Sequence, residues 1–469
     1  MTQTKIVATI GPASDDTTTL TELADAGIDV ARQNLSHGDH EEHRQIKKRI
    51  RNLDTNIAVM LDTQGPEIRL NDVEDNTEIK TGEQVELSTA DHPGTSDELT
   101  VDYDGLLDHL DEGDTVLIDD GKIELEVRSI QDSAATCAVT FGGKIYPRKS
   151  VNVPGKDLGL QAPTEKDKED IAFAAEEGFD FVAASFVKEA QDIHDIRAIL
   201  DDHDAAIDII AKIEHITAVE NLESIIEAAD GIMVARGDLG IELPASDVPM
   251  LQKKIIKKCN AAGKPVITAT QMLKSMTENP RATRAEVSDV ANAVLDGTDA
   301  VMLSEETAIG EYPKESVELM DEIARSVETS RDDDVHHTVK AKSTDVADVI
   351  CKNIWQAARE TDAAYIVAHT TSGYTARQIA KYRPDTDIIA FTDKKRTQRQ
   401  LALVWGVTAY HEAFDETVDQ MLRDTTERLY TEEIVNDEDT LVLSAGVPTS
   451  VPGTTNMMEI RTVESIIDD

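Results

Sequence analysis

Eight short apolar runs limit the folds open to this chain more than any other feature. They occupy residues 5–11, 28–34, 57–63, 179–186, 207–214, 231–238, 265–271 and 299–305. Segments with helical spacing of apolar residues, such as 217–229 and 250–262, separate most of them. Strand-like runs alternating with helices read as βα units on a parallel sheet. Eight such units predict an α/β protein built on a (β/α)8 barrel of the TIM type.

One spacing breaks the rhythm. More than a hundred residues separate the third run from the fourth. Turn signals at Gly113-Asp114, Asp119-Asp120-Gly121 and Gly142-Gly143 punctuate short alternating runs at 85–87, 115–118, 123–127 and 136–140. This pattern predicts an inserted all-β, barrel-like domain over 66–159. It would sit on a βα loop above the barrel mouth, where it would serve as a lid. The barrel would then comprise 1–65 and 160–334. The charged stretch Arg331-Asp332-Asp333-Asp334 would lead to a C-terminal α/β domain over 335–469. Its strands are expected at 365–369, 387–392, 407–410 and 440–444, in an open parallel or mixed sheet.

Charge narrows the setting. Asp and Glu number 92 against 46 Lys and Arg, a net charge of −46 spread along the whole chain. Self-repulsion of that size destabilises a compact fold in dilute salt. At about 1 M salt the Debye length is about 3 Å, and the repulsion is screened. A halophile's cytoplasm is the expected setting; an acidic protein made for a basic partner would cluster its charge. No basic footprint for nucleic acid is present, and no apolar run is long enough to span a membrane. The segment Met1-Thr2-Gln3-Thr4-Lys5 lacks the pattern of a signal peptide, so a cytoplasmic location is expected. Cys137, Cys259 and Cys351 lie far apart without zinc-like spacing and are expected to be free thiols.

In such a barrel, catalytic groups come from the C-terminal ends of several strands. Six of the runs end in polar clusters. The second ends Arg32-Gln33-Asn34-Leu35-Ser36-His37, and the third ends Asp62-Thr63, with Arg69 soon after. The fifth ends Lys212-Ile213-Glu214, and the sixth Arg236-Gly237-Asp238. The seventh ends Thr268-Ala269-Thr270-Gln271, and the eighth Ser304-Glu305-Glu306-Thr307. Lys212 and Glu214 are two apart and share one face of their strand. Glu214 and Asp238, at comparable heights on adjacent strands, are hard oxygen donors that suit Mg2+ or Mn2+, with substrate and water completing the shell. A plain salt-bridge layer, Lys212 with Glu214 and Arg236 with Asp238, fits the same residues. Arg32 is either a clamp for phosphate or carboxylate or a rim ion pair. Gly237-Asp238-Leu239-Gly240 opens a turn whose N–H groups suit a carboxylate. In the C-terminal part, Thr370-Thr371-Ser372-Gly373-Tyr374-Thr375-Ala376 reads as a phosphate cradle before a helix or as an ordinary capped turn.

Seven segments, in order, carry a family likeness: TKIVATIGPAS (4–14), NLSHG (34–38), LDTQGPEIR (61–69), KIE (212–214), MVARGDLG (233–240), ATQML (269–273) and MLS (302–304). Through them the chain resembles pyruvate kinase from end to end, as an acidic, halophile-like member. The resemblance implies phosphoryl transfer from phosphoenolpyruvate to ADP, giving pyruvate and ATP. It implies Mg2+ (or Mn2+) on Glu214 and Asp238, and K+ held by Asn34, Ser36, Asp62 and Thr63. Lys212 matches the cation that stabilises the transferring phosphoryl group. Arg32, Lys212, Gly237, Asp238 and Thr270 match substrate-binding positions, and Asn34, His37, Arg69 and Lys149 match nucleotide positions. Thr270 and Ser304 match candidates for relaying a proton to the enolate carbon. Thr370, Thr371, Ser372, Gly373 and Thr375 match the loop that holds a phosphorylated allosteric effector. Gly446-Val447-Pro448 and Pro452-Gly453-Thr454-Thr455-Asn456 match the terminal loop beside it. A homotetramer is implied as well.

Departures from the family pattern fall at Gln64, where Lys is common, Gln33, where Leu is common, and Glu305, where Gly is common. Glu67 stands where members that dispense with K+ tend to carry Lys. Another barrel enzyme acting on an enolate, such as an aldolase, would share Glu214 and Asp238 but need neither lid nor K+ ligands. A silent effector-binding protein would have lost Lys212, Glu214 or Asp238, and all three are present.

Overall fold

In a computed structural model, which describes residues 2–131, 133–330, 345–414, 417–446 and 455–468, the eight runs become eight parallel strands. These are β1 (Lys5–Thr9), β2 (Val30–Asn34), β3 (Ala58–Asp62), β4 (Phe181–Ala184), β5 (Asp208–Ile213), β6 (Gly231–Ala235), β7 (Val266–Ala269) and β8 (Ala300–Leu303). Each pairs with its sequence neighbours, and β1 pairs with β8, so the sheet closes into a barrel. The runs carry apolar residues on both faces because both faces are buried. In β3, Ala58 and Met60 face the barrel interior, while Val59 and Leu61 join the layer beneath the helices. Helix boundaries follow local chemistry: Asp39, Thr164 and Thr283 each form a capping box at a helix start.

All the strands but β2, which reaches the end of its run at Asn34, stop short of their runs, because the last residues belong to the turns. The largest correction is at β6. It ends at Ala235, and Arg236–Glu242 forms a short helix. Gly237 and Asp238 therefore stand on a helical first turn rather than on a strand, with Asp238 where a helix N-terminus favours negative charge.

Between β3 and β4, short strands from Ile68–Arg69 to Ser150–Asn152 build a seven-stranded sheet with a core of its own. The alternating runs read from the sequence lie in Gln84–Ser88, Thr115–Ile118, Ile123–Gln131 and Ala134–Phe141. Further on, β9 (Tyr365–His369), β10 (Ile388–Thr392), β11 (Val407–His411), β12 (Thr440–Ala445) and β13 (Met457–Thr462) form one sheet in the order β11-β10-β9-β12-β13. The first four are parallel and β13 is antiparallel, so the sheet is mixed. The acidic stretch 331–334 lies outside the described residues.

The two α/β parts meet at the N-terminal end of the barrel. Asp180, fully buried just before β4, accepts from Arg399 Nε at 2.7 Å and Arg51 Nη2 at 2.5 Å. Arg383 donates to the Gly297 carbonyl at 2.7 Å, and its guanidinium lies over the Trp405 ring. Leu403, on the 3-10 turn Leu401–Leu403, is fully buried inside the barrel's own interior cluster with Val7, Met60, Phe181 and Met302. It stoppers the barrel from below. All three cysteines are free and buried, and burial pushes the Cys137 and Cys351 thiols up to about 12. Among the described residues, no helix is long and apolar enough to cross a membrane.

Candidate active site

The site grows out of strand parity. Interior residues at the upper level of the barrel are Val7, Val30, Met60, Ala183, Ile210 and Met302. Two positions further along each strand, on the same face, come Thr9, Arg32, Asp62, Ser185, Lys212 and Ser304. The apolar interior thus ends in a polar layer at the C-terminal mouth.

That layer is hydrogen-bonded together. Arg32 donates from Nε to Asp62 Oδ2 at 2.6 Å and from Nη1 to Thr9 Oγ1 at 2.9 Å. Lys212 Nζ reaches Ser185 Oγ at 2.6 Å, Glu214 Oε1 at 2.9 Å and Asp62 Oδ1 at 3.1 Å. Glu214 accepts from the Phe186 backbone N–H at 2.7 Å. Asp62 has no exposed surface, and Arg32, Thr63 and Glu214 are nearly as buried. Burial works against the Asp62 charge, but Arg32 and Lys212 outweigh it, and the carboxyl is held below its ordinary range. Burial likewise opposes the Lys212 ammonium. Asp62 and Glu214 outweigh that too, and the amine is held above the ordinary lysine range. Lys212 is therefore a fixed positive charge at neutral pH.

Asp238 is less well balanced. Burial, and then repulsion from Glu214, pushes its carboxyl up to about 7. The ion pair that would neutralise it is absent: Arg236 bonds Asp289 at 2.7 Å instead, and donates to the Thr270 carbonyl at 2.8 Å. Of the two pairs in the salt-bridge alternative, Lys212 with Glu214 forms and Arg236 with Asp238 does not. Among the described residues no group of three or more His, Cys, Asp or Glu side chains gathers as a metal cage. Two carboxylates in mutual repulsion, which Lys212 offsets only in part, fit a hard divalent cation completed by substrate oxygens.

Thr270 lies directly after β7 with φ +69°, in the left-handed region. A β-branched residue there costs about 1–3 kcal/mol. The Arg236 guanidinium holds the turn through the Ala269 and Thr270 carbonyls. Thr270 Oγ1 consequently accepts from the Gly237 N–H at 2.7 Å, joining two substrate-binding candidates. Arg32, Asn34, His37 and Ser304 line one large cavity with Thr9, Gly11 and Pro12. Ser36 donates its N–H to Asn34 Oδ1 at 3.2 Å. A second cleft runs between Glu67, Asp120 and Asn152 of the inserted sheet and Phe186, His215 and Asp238 of the barrel.

Two nucleotide candidates stand apart on the inserted sheet. Arg69 is engaged by Glu67 and by the Arg148 carbonyl, and Lys149 pairs with Asp119 at 2.9 Å. Thr370, Thr371, Ser372, Gly373 and Thr375 follow β9 in the C-terminal part. Gly373 turns there with φ +79°, and Thr375 shares a 2.7 Å hydrogen bond with Thr455. The rest of the terminal loop, 447–454, lies outside the described residues. Of the departures, Gln33 faces away from the mouth and bonds His43 at 2.9 Å. Glu305 pairs with Lys274 at the surface.

Sequence reasoning passed over Ser185 and Thr9. Both obey the rule that found the others, since each stands two positions beyond an interior residue. The first and fourth runs were passed over because a lone hydroxyl there is less conspicuous than a charged cluster.

A barrel whose mouth fixes an ammonium and a guanidinium beside paired carboxylates is suited to stabilising the charge of a phosphoryl group. Residues 1–317 match the family description "Pyruvate kinase, barrel domain", and residues 348–461 match "Pyruvate kinase, alpha/beta domain". A pyruvate kinase of Geobacillus stearothermophilus is 46% identical over 475 residues, covering 99% of this chain and 81% of the relative. One from Staphylococcus saprophyticus is 46% identical over 473 residues, with the same coverage. The crystal structure of a pyruvate kinase from Cryptosporidium parvum is similar with a TM-score of 0.93 at 38% identity, covering 98% of this chain and 96% of that one. The chain belongs to the pyruvate kinase family.

Proposed function

We propose that the family's reaction, phosphoryl transfer from phosphoenolpyruvate to ADP, runs here with Mg2+ (or Mn2+) on Glu214 and Asp238. The observation that carries this is the ammonium of Lys212, fixed by three acceptors at the mouth beside both carboxylates. Phosphoryl transfer needs positioning and charge stabilisation more than covalent chemistry. Glu214 and Asp238 would hold the divalent cation, which would supply Lewis-acid stabilisation of substrate charge. Lys212 offsets the charge that builds on the transferring group. Arg32, locked by Asp62 and Thr9, presents its guanidinium to the phosphate. The Gly237 backbone and Thr270 receive the substrate carboxylate, and Thr270 or Ser304 relays the proton to the enolate carbon. Asn34, Ser36, Asp62 and Thr63 form the K+ pocket, from which Asp62 also steadies Arg32 and Lys212. His37, Arg69 and Lys149 face the nucleotide together with Asn34. A coupled assay with phosphoenolpyruvate and ADP in molar KCl is expected to give turnover that vanishes without Mg2+ or Mn2+. Equal turnover after exhaustive chelation would refute the assignment.

The inserted sheet, 66–159, is a lid that closes on the nucleotide cleft. The barrel occupies 1–65 and 160–334, and the regulatory domain 335–469. β13 lies at the edge of its sheet and supports self-association into a homotetramer. The turn at Gly373 and the hydroxyl pair Thr375–Thr455 support a phosphorylated effector over Thr370–Thr375. The diffuse charge of −46 supports a halophile's cytoplasm. Small-angle scattering reads both mass and shape. A tetramer that contracts on adding Mg2+, ADP and a phosphoenolpyruvate analogue is expected, and an unchanged profile would mean a fixed insert.

A further inference from the structure

We infer that Ser185 is a positioning residue for the phosphoryl transfer, aiming the Lys212 ammonium without neutralising it. The inference rests on the reading of Lys212 as the charge-stabilising cation. An ammonium has three N–H donors, and Lys212 has three acceptors within 3.1 Å: Ser185, Glu214 and Asp62. Two of these are carboxylates with other duties. Asp62 is bound by Arg32, and Glu214 is the candidate metal ligand. Asp62 and Ser185 hold two of the N–H directions. Tetrahedral geometry then fixes the third, along which Glu214 Oε1 now lies and along which a phosphoryl oxygen beside that carboxylate would be met.

The hydroxyl is fixed in its own right. Ser185 is 4% exposed. Its N–H donates to Thr63 Oγ1 at 3.1 Å, and its Oγ–H donates to the Thr63 carbonyl at 2.6 Å, well inside the 3.4 Å to its other acceptor, Asp62 Oδ1. With the proton committed there, the oxygen lone pairs are left for Lys212. The next residue, Phe186, has φ +56° and gives its N–H to Glu214. One turn after β4 therefore orients both partners of Lys212 on that side. A carboxylate at 185 would add charge and weaken the ammonium's pull on the substrate. A hydroxyl supplies direction alone.

The test compares Ser185→Ala, Ser185→Cys and Ser185→Thr in the full chain at molar KCl, each verified as folded by circular dichroism. Misaiming a reacting group by a fraction of an ångström up to 1 Å lowers turnover by about ten- to a hundred-fold. That loss in kcat is expected for Ser185→Ala. Phosphoenolpyruvate KM, and its equilibrium affinity measured by titration calorimetry without ADP, should each move less than about three-fold. Ser185→Cys keeps the size but offers a poor acceptor, and should be impaired like Ala. Ser185→Thr keeps the hydroxyl and should recover most of the turnover. Near-normal kcat in both Ala and Cys, or a rise in KM at unchanged kcat, would overturn the inference. So would recovery of Ser185→Ala on raising KCl, which would assign the hydroxyl to the cation pocket. A crippled Lys212→Met with a normal Ser185→Ala defeats only this inference. A normal Lys212→Met defeats the reading beneath it.

Discussion

Replacing Lys212 with Met is expected to lower kcat by about 10³- to 10⁵-fold, the range of a cation that meets transition-state charge in phosphoryl transfer. Binding of phosphoenolpyruvate should persist, because Arg32 keeps both of its anchors, Asp62 and Thr9. An interaction made only in the transition state lowers kcat and kcat/KM together and leaves KM nearly alone. The variant is also expected to lose stability. Asp62 and Glu214 each lose a buried ammonium, and breaking a buried ion pair from one side costs about 3–5 kcal/mol. Activity must therefore be read on protein shown to be folded, at salt high enough to screen the acidic surface. Turnover within ten-fold of the parent would remove Lys212 from the mechanism.

The second large effect concerns potassium. Exchanging KCl for an equal concentration of tetramethylammonium chloride should leave the circular dichroism spectrum intact and abolish most activity. Equal ionic strength keeps the screening that an acidic chain requires, so only the specific site is emptied. Modest KCl added back should restore turnover, because occupancy follows concentration relative to Kd. Glu67 sharpens the test. It lines the cleft beneath the inserted sheet and pairs with Arg69, so it brings no positive charge to the site. Glu67→Lys should reduce the K+ requirement. It should also raise KM for ADP, because a lysine in place of Glu67 would repel Arg69 instead of holding it. Full activity of folded protein without K+ would sink the assignment of Asn34, Ser36, Asp62 and Thr63.

The barrel was legible because a doubly buried parallel strand leaves a continuous apolar run that neither an antiparallel nor an amphipathic segment imitates. The polar mouth was legible for Arg32, Asp62, Lys212 and Ser304, where a strand ends in residues that a core rejects. Position within the turn was not. The helix Arg236–Glu242 follows β6 without a spacer, and a run read as a strand to residue 238 hides that change. The partner of Arg236 was equally hidden, since Asp289 lies 53 residues away on another helix. β13 escaped notice because its side chains are all partly or fully exposed, with no alternation to mark a strand. Ser185 was within reach, since parity alone would have placed it beside Lys212.

Leu403 bears on how such a chain comes into being. The last barrel strand ends at Leu303, and the side chain that closes the barrel's lower end follows one hundred positions later. Chains lengthen at about 5–20 residues per second, so for roughly 5–20 s a ribosome carries all eight strands without their stopper. The nascent barrel spends that interval with its floor open to water, and a message cut short before codon 403 never ends it.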